Sequence, residues 1–213
     1  MLKKNKLTLI LSSIVTLLPI LVGLILWERL PQELPTHWGI NGEVDDYSSK
    51  GFAVFGLPLI LLGFHWICTL ATALDHKNKE QHAKLFTLVF WIIPALSLTV
   101  SALIYATVLG YVFNVTTILF CFMGLLFIVI GNYLPKCKQN RTLGIKVKWT
   151  LENEANWNAT HRMAGKFWVA GGLLFLPIGF LPQALTLWAM PVLIFVMVIV
   201  PVIYSYIYHK QAE

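Results

Sequence analysis

The sequence predicts an all-α integral membrane protein with six transmembrane helices and both termini in the cytoplasm (N-in, C-in). Of the 213 residues, 57% are hydrophobic and only 12% are charged, whereas soluble domains carry about 25% charged residues. The apolar residues stand in blocks of about 20, the length that crosses a bilayer as a helix. The distribution of Lys and Arg along the chain gives the orientation.

The predicted spans are separated by short polar pieces. The run after the first lysines is longer than the core of a cleavable signal peptide and lacks an A-x-A site, so we expect it to stay as span 1. Pro177 and Pro182 interrupt span 5, and prolines are tolerated in membrane helices but often kink them. The six spans are residues 7–27, 53–74, 86–109, 115–134, 164–181 and 187–208.

Positive charge is concentrated on one side of this arrangement. Of the 16 Lys and Arg residues, only Arg29 and Lys50 fall on the outer side, which leaves 14 on the inner side. Such an excess is typical of cytoplasmic loops, and a missed span would scatter the charges onto both sides. The 14 are Lys3, Lys4, Lys6, Lys77, Lys79, Lys84, Lys136, Lys138, Arg141, Lys146, Lys148, Arg162, Lys166 and Lys210.

Four regions follow from the layout. Residues 1–52 contain span 1 and an extracellular piece, and residues 53–134 contain spans 2 to 4. Residues 135–166 form a cytoplasmic basic segment, and residues 167–213 contain spans 5 and 6 with the tail. We call residues 28–52 the outer segment and residues 135–166 the inner segment.

The outer segment is predicted to form a β-hairpin. Asn41-Gly42 is a strong hairpin signal because both residues accept positive φ. An isolated hairpin is marginal in water, so it should rest on the helix ends, with Trp38 as an anchor. A two-residue turn pairs Ile40 with Glu43, Gly39 with Val44, Trp38 with Asp45, and His37 with Asp46.

The charge of the outer segment favours a cationic partner. Its five acids against Arg29 and Lys50 give a net charge of −3, which attracts a cationic peptide. His37 near Asp45 and Asp46 also leaves a metal site open, but one histidine and two carboxylates are a weak ligand set. An ion pair or hydrogen bond that holds the hairpin is the preferred interpretation. The acids are Glu28, Glu33, Glu43, Asp45 and Asp46.

The inner segment is predicted to hold a turn, a short extended piece and a helix. Gly144 lies in the turn, and residues 145–149 alternate between apolar and basic. Thr150 is the predicted N-cap, and Glu152 and Glu154 in the first turn complement the helix dipole. The helix places Trp157, His161 and Ala164 on one face and continues into span 5.

Two interpretations of the inner segment stay open. A helix on the inner membrane surface, with its positive stripe on anionic lipid headgroups, is one of them. A docking surface for a cytoplasmic protein is the other. His161 has neither a nucleophile nor a second ligand at a useful spacing, so we expect no catalytic role for it.

The sequence contains few of the residues and motifs that transport or catalysis usually requires. Apart from His65, the spans are nearly without ionisable groups, which ion-coupled transporters usually carry. The motifs H-E-x-x-H, G-x-S-x-G and G-x-x-x-x-G-K-[ST] do not occur. We therefore expect no catalytic residues, no metal and no cofactor. A small-molecule or peptide transporter and an uncharacterised membrane enzyme remain alternatives.

Two stretches carry a family resemblance. L-P-T-H-W-G-I-N-G-E-V-D at residues 34–45 looks like a P-x-H-x…G-x-x-D signature. Residues 131–166 contain G-N-Y-L-P-K…N-R-T-L-G-I-K-V-K-W-T-L…W-N-A-T-H-R-M-A-G-K. Together with the six-span layout, they resemble the SdpI family of bacterial membrane proteins. The chain departs from the family pattern at Lys146 and Val147, where Arg and Thr are usual, and an ammonium lacks the bidentate geometry of a guanidinium.

The resemblance implies an immunity protein against a secreted peptide toxin in the bacterial cell membrane. It also implies a receptor that holds a cytoplasmic transcriptional autorepressor at the membrane, without direct binding to nucleic acid. Membrane lipids are the remaining expected partner. The candidate toxin-side residues are His37, Trp38, Gly42, Asp45 and Asp46. The candidate effector-side residues are Asn140, Arg141, Gly144, Lys146, Trp149, Thr150, Trp157, Thr160, His161 and Arg162.

Overall fold

The computed structural model describes residues 5–39, 42–75, 78, 81 and 83–211. The chain is mostly helical, with 78% of it in helices. Lys3, Lys4, Lys77 and Lys79, which contribute to the predicted charge asymmetry, lie outside the described residues, as do Ile40 and Asn41. The helices are α1 Lys6–Ile25, α2 Leu57–Leu74, α3 Ala83–Val108, α4 Val115–Tyr133, α5 Lys148–Glu152, α6 Glu154–Ile178 and α7 Gln183–Gln211.

Five segments of the described chain are long and apolar enough to cross a membrane. Each overlaps a predicted span, and the second begins with a π-helical turn, Phe52–Gly56, that continues into α2. The chain is a multi-pass bacterial membrane protein. The five segments are Lys6–Ile25, Phe52–Leu74, Leu85–Val108, Val115–Lys136 and Ala184–Gln211.

The fifth predicted span lies in α6. This helix begins ten residues before the span and ends at Ile178, three residues before the predicted end, with Gly179 as its C-cap. Its first half carries polar and charged residues, and α6 is not among the five apolar segments of the described chain. The six-span count and the N-in, C-in topology therefore stay predictions.

The chain divides into two compact units. Unit 1 comprises Met1–Ala73 with Thr87–Val115, and unit 2 comprises Leu74–Phe86 with Thr116–Glu213. In unit 1, Ser97 Oγ donates to the carbonyl oxygen of Thr16 (2.8 Å), and the Tyr105 hydroxyl donates to that of Pro19 (3.0 Å). Both bonds run from side chains of α3 to backbone carbonyls of α1 and join these two helices.

A two-stranded antiparallel hairpin, β1 (Glu33–Trp38) and β2 (Val44–Ser49), follows α1 after a 3₁₀ turn at Trp27–Arg29. Leu34 is fully buried, and Trp38 packs partly buried against the same apolar cluster. The hairpin is thus fixed through its apolar side chains, as the sequence predicts for a two-stranded piece. The buried cluster consists of Leu30, Leu34, Ala53, Val54, Ile104 and Tyr105.

The predicted hairpin register is correct at one pair and wrong at two. His37 pairs with Asp46 as expected, but Trp38 pairs with Val44 instead of Asp45. Gly39 donates to the carbonyl of Glu43 (2.9 Å) instead of pairing with Val44. Irregularities on both sides of His37 shift the register, and such bulges re-aim side chains. The predicted Ile40–Glu43 pair and Asn41 lie outside the described residues, whereas Gly42 has the expected positive φ of 80°.

The predicted start of the inner helix is wrong. Thr150 lies inside the five-residue α5, whose N-cap is Val147. The chain then breaks at Asn153, whose side chain accepts from the Asn156 amide (3.0 Å) and caps α6. Asn is a better cap than Thr because its carbonyl reaches the first-turn amides readily. Glu154 is in the first turn of α6, and the residues after Thr150 do not form one continuous helix.

Candidate functional site

The exposed end of the hairpin brings together two predicted toxin-side residues. His37 Nδ1 lies 2.5 Å from an Asp45 carboxylate oxygen, with 67% and 50% of the two side chains exposed. Asp46 is exposed, and its carboxylate accepts from the Tyr47 amide (2.8 Å). Trp38 faces the apolar cluster instead. His37 and Asp45 are therefore available to a partner, while Trp38 holds the hairpin in place.

A cleft of about 580 Å³ opens beside the hairpin. Its walls combine apolar surface with charge, and Tyr47 in the wall is 55% exposed. Such a mixed lining suits an amphipathic segment. Sequence reasoning missed this cleft because it forms only when the hairpin packs beside the end of α3. The lining residues are Glu28, Arg29, Leu30, Pro31, Glu33, Pro35, Val44, Tyr47, Thr107 and Val108.

The exposed surface of the outer segment carries more negative charge than the net charge of −3 counted from its sequence. All five acids are exposed. Lys50, one of the two cations, is buried, with its ammonium 3.0 Å from the Trp27 carbonyl and 4.8 Å from the Trp27 ring centre. Arg29 is therefore the exposed cation of the outer segment as described. The exposed charges of the described outer segment are therefore five carboxylates and one guanidinium, of which Glu28, Glu33 and Arg29 line the cleft.

The inner segment is organised around Asn140, which is fully buried. Its amide nitrogen donates to the carbonyls of Lys138 (2.8 Å) and Leu143 (3.1 Å). Its amide oxygen accepts from the backbone of Thr142 (2.8 Å) and Leu143 (2.6 Å). An amide supplies donors and an acceptor at once, which a carboxylate or hydroxyl of similar size cannot do in this pattern. Asn140 therefore fixes the loop that leads to Gly144.

Trp157, His161 and Gly144 pack together. The rings of Trp157 and His161 stack with centroids 4.0 Å apart, and both side chains are almost fully buried. Trp157 Nε1 donates to the Cys137 carbonyl (2.7 Å). Gly144 has φ +99°, and a Cβ there would overlap Nε2 of His161. The predicted shared face of Trp157, His161 and Ala164 is confirmed, with protein packed against it.

His161 is held as a neutral imidazole. Its Nε2 accepts from the Ile145 amide (3.0 Å), so the proton is on Nδ1, which donates to the Trp157 carbonyl (2.8 Å). Burial lowers the pKa of His161 to about 4. Burial also raises the pKa of the neighbouring Cys137 thiol to about 11, which keeps it in the unreactive thiol form.

Two polar contacts join α5 and α6 to α7, and two more are local to α6 and to the start of α5. Trp149 Nε1 donates to Ser205 Oγ (2.7 Å), and Asn156 Nδ2 donates to the Ser205 carbonyl (2.9 Å). The hydroxyl of Thr160 donates to Asn156 (2.9 Å), and that of Thr150 donates to the Ile145 carbonyl (2.8 Å). We call Asn140, Gly144, Trp149, Thr150, Asn156, Trp157, Thr160 and His161 the inner frame. Six of them are buried, Trp149 is partly buried and Gly144 is exposed.

The structure adds residues that sequence reasoning missed. The Gln81 side chain donates to the Lys138 carbonyl (2.6 Å) and accepts from the Lys138 amide (2.9 Å). Asp75 accepts from the Arg141 amide (2.8 Å), and Asn78 donates to Thr142 Oγ1 (2.7 Å). These three residues follow span 2 and tie its loop to the inner segment. Their only signal in the sequence is polarity in a short connection, which is also typical of solvated loops.

Eight of the ten predicted effector-side residues separate into two groups, while Gly144 is exposed and Trp149 is partly buried. Five of them, Asn140, Thr150, Trp157, Thr160 and His161, are buried in the inner frame. Three cations, Arg141, Lys146 and Arg162, are exposed, and the Lys146 ammonium donates to the Thr142 carbonyl (3.1 Å). A partner that approaches this conformation would meet the cations and not the frame.

Lowering the pH is expected to destabilise the inner frame. His161 has a lower pKa folded than unfolded, where about 6.5 applies. The unfolded state thus binds more protons below pH 6.5, and stability falls as the pH drops from about 6.5 toward 4 and is constant above that range. Because a tenfold change in proton affinity is about 1.4 kcal/mol, the loss approaches about 3 kcal/mol at pH 4.

Thermal unfolding of the purified protein between pH 7.5 and 4.5 measures this effect. His161→Gln keeps an acceptor for the Ile145 amide but does not titrate, so its melting temperature should depend less on pH than that of the wild type. The exposed His37→Gln serves as the control and should behave as the wild type. An equal pH dependence in the wild type and His161→Gln would contradict the prediction.

No group of three or more His, Cys, Asp or Glu side chains that could hold a metal ion occurs among the described residues. At the hairpin, His37 and Asp45 are paired with each other, and Asp46 bonds the backbone. The preferred interpretation of His37 and Asp45 as a local hydrogen-bonded pair agrees with this geometry.

Comparisons with known proteins match both motif regions. The SdpI/YfhL protein family matches residues 136–205, and a domain of unknown function (DUF1648) matches residues 14–62. "Immunity protein SdpI" of Bacillus subtilis (strain 168) is 28% identical over 215 residues, which cover 98% of this chain and 97% of the relative. No solved structure matches. The first match contains the whole inner frame and the second contains β1 and β2, so the chain is similar to the SdpI/YfhL family over the region that holds the inner frame.

Proposed function

We propose that this chain is a membrane immunity protein that protects its cell from a secreted peptide toxin. The observation that carries the proposal is the relationship to an immunity protein along 98% of the chain. The relationship spans both the hairpin and the inner segment, so it is not restricted to the apolar helices, where composition alone raises similarity. The proposal assigns no catalytic chemistry to the chain.

The outer hairpin is the proposed contact surface for the toxin. Glu28 and Glu33 line a cleft with an apolar wall, and burial of Lys50 leaves Arg29 as the exposed cation of the described outer segment. A cationic, amphipathic peptide fits such a surface through charge complementarity and apolar contact. His37 and Asp45 at the exposed end are available for contacts with its polar groups.

The inner segment is the proposed site for a cytoplasmic repressor. Arg141, Lys146 and Arg162 would contact an acidic surface of that partner, and the buried inner frame would hold them in position. The support is the family resemblance together with the exposure of these cations. Substituting all three by glutamine should release a fluorescently tagged repressor from the membrane without loss of protection. Release in the matched Lys148→Gln variant as well would point to general attraction by charge.

The test of immunity is survival of a toxin-sensitive bacterium that expresses the chain. The challenge uses secreted peptide toxins from bacteria that carry SdpI-family immunity proteins, and an immunoblot of the membrane fraction verifies insertion. We expect survival above the empty-vector control. Wild-type protein in the membrane with no gain in survival against any such toxin would reject the proposal.

Disrupting the His37–Asp45 pair is expected to reduce protection with little effect on stability. The pair is exposed, and exposed ion pairs contribute less than about 1 kcal/mol. Asp45→Asn and His37→Gln should therefore melt like the wild type but lower survival by about tenfold if each removes one polar contact of about 1.4 kcal/mol. Gln32→Ala, exposed beside β1, is the control and should protect fully. Full protection by all three variants would remove these two residues from the toxin site.

A further inference from the structure

Two adjoining depressions lie on unit 2 where α4, α6 and α7 meet. The first measures about 390 Å³ and the second about 500 Å³, and both are lined by Pro135 and Lys166. The first continues along Asn132, Val169 and Leu173, and the second along Arg162 and Tyr204. We call this continuous surface the α4–α6 groove. The proposed toxin site does not use it, and the proposed repressor site shares only Arg162 with it.

Two glycines shape the floor of the groove. A Cβ on Gly165 would lie 2.7 Å from the Gly131 carbonyl oxygen, and a Cβ on Gly131 would lie 2.9 Å from that of Gly165. The backbones of α4 and α6 therefore approach closely, as small residues permit in membrane helices. The close approach leaves a shallow furrow between the side chains on either side, and Leu173 is 55% exposed beside it.

The mouth of the groove carries two positive charges. Arg162 and Lys166 are one helical turn apart on α6, and both are exposed. Neither forms an ion pair with a described acid, since the ion pair found in the described chain is the one between His37 and Asp45. Two exposed cations at one helical turn repel each other, and an anion between them relieves that repulsion.

Along α6, the two cations are followed by exposed or partly exposed apolar residues. Val169, Ala170 and Leu173 come after Lys166 by up to seven residues, or about 10 Å along a helix axis. The cations lie at the end that the Lys and Arg distribution assigns to the cytoplasm, and the apolar residues continue into the predicted span. A phospholipid has the same order, with a phosphate at the surface and an acyl chain below it.

We propose that the α4–α6 groove is a binding site for one anionic phospholipid of the cytoplasmic leaflet. Arg162 and Lys166 bind the headgroup phosphate, and one acyl chain lies along Val169, Ala170 and Leu173. Basic pockets between membrane helices on the cytoplasmic side bind anionic headgroups in this way. A zwitterionic lipid has no net charge, and its own ammonium group would repel Arg162 and Lys166. A free phosphate compound would make no use of the apolar floor.

Native mass spectrometry of the detergent-purified protein tests the site, with phosphatidylglycerol and phosphatidylcholine added in separate titrations. The wild type should retain one phosphatidylglycerol at concentrations where phosphatidylcholine does not bind. Arg162→Gln with Lys166→Gln should weaken retention by at least about tenfold, since each cation near a membrane surface contributes to the attraction. Lys148→Gln, which removes an exposed cation outside the groove, should bind as the wild type does.

A second variant tests the floor while both cations stay in place. Ala170 is exposed in the groove, so Ala170→Trp fills the path of the acyl chain without disturbing buried packing. It should weaken phosphatidylglycerol retention by about fivefold or more. Equal retention of both lipids, equal loss in Lys148→Gln, or full retention by Ala170→Trp would overturn the proposal. Displacement of the lipid by glycerol 3-phosphate at equal concentration would also overturn it and identify a site for free phosphate compounds.

Discussion

Gly144→Ala is expected to unfold the inner frame at a markedly lower denaturant concentration than the wild type. A non-glycine residue at φ +99° costs about 1–2 kcal/mol. The new Cβ would also overlap Nε2 of His161, which must then release the Ile145 amide. A buried amide without an acceptor costs about 1–3 kcal/mol, so the sum reaches about 2–5 kcal/mol. Denaturant unfolding followed by tryptophan fluorescence measures this loss.

The chain offers a matched control for the backbone strain. Gly110 has a similar φ of +81°, but a Cβ there would meet nothing within 4 Å. Gly110→Ala therefore isolates the strain and should cost about 1–2 kcal/mol. Adding His161→Ala to Gly144→Ala should cost less than the sum of the two single changes, because the overlap has then been removed. Equal losses for the two glycine variants would mean that contact with His161 contributes nothing.

Trp157→Ala is expected to have an effect of similar size for a different reason. The side chain is fully buried among Leu85, Cys137 and the stacked ring of His161. Removing a buried Trp side chain costs about 3–5 kcal/mol because of the cavity and the lost apolar contact. The Cys137 carbonyl also loses its donor. The denaturant concentration at which the protein unfolds and the amount of protein in the membrane fraction should both be lower than for the wild type.

Trp157→Phe separates packing from the hydrogen bond. Phenylalanine keeps a ring that can stack on His161 but has no donor for the Cys137 carbonyl, so we expect a loss of about 1–3 kcal/mol. The exposed Trp188 provides a control, and Trp188→Ala should unfold like the wild type. If Trp157→Ala were no less stable than Trp157→Phe, the ring would not be part of a packed core.

The helical framework was predictable because each span is a long apolar run. Within a few residues, α1, α3 and α4 begin and end where the apolar runs do. The exception is α6, whose polar first half is continuous with its apolar second half. Apolar content alone does not distinguish a helix that enters a bilayer after several packed turns from a helix that spans it throughout.

The turn residues of the sequence predicted that a hairpin forms, but they did not predict all of its residue pairs. Gly42 and the paired His37 and Asp46 are placed as the turn residues imply. The bulges beside His37 depend on burying Trp38 against the apolar cluster, which is a tertiary contact. Thr150 has the chemistry of a helix cap, but α5 begins two residues earlier, and the Thr150 hydroxyl donates to the Ile145 carbonyl and accepts from the Val147 amide.

The roles of the inner residues were less accessible from sequence. The stretch around Asn140 and Trp157 was identified as one motif, but its polar and aromatic composition fits an exposed docking surface as well as a buried network. Burial of Asn140 depends on partners distant in sequence, such as Gln81, which bonds Lys138 across the loop. The exposed cations and the buried frame could be separated only once these long-range contacts were known.

Photo-crosslinking at Tyr47 tests the assignment of toxin binding to the hairpin most directly. Tyr47 is 55% exposed in the wall of the outer cleft, and Tyr206, near the predicted cytoplasmic end of span 6, is 46% exposed. A photoreactive phenylalanine analogue replaces each tyrosine in turn, in living cells that are challenged with a tagged toxin. We expect a crosslinked product from position 47 and none from position 206. Protection by the Tyr47 variant without a crosslink there, or a crosslink at position 206 alone, would contradict the assignment.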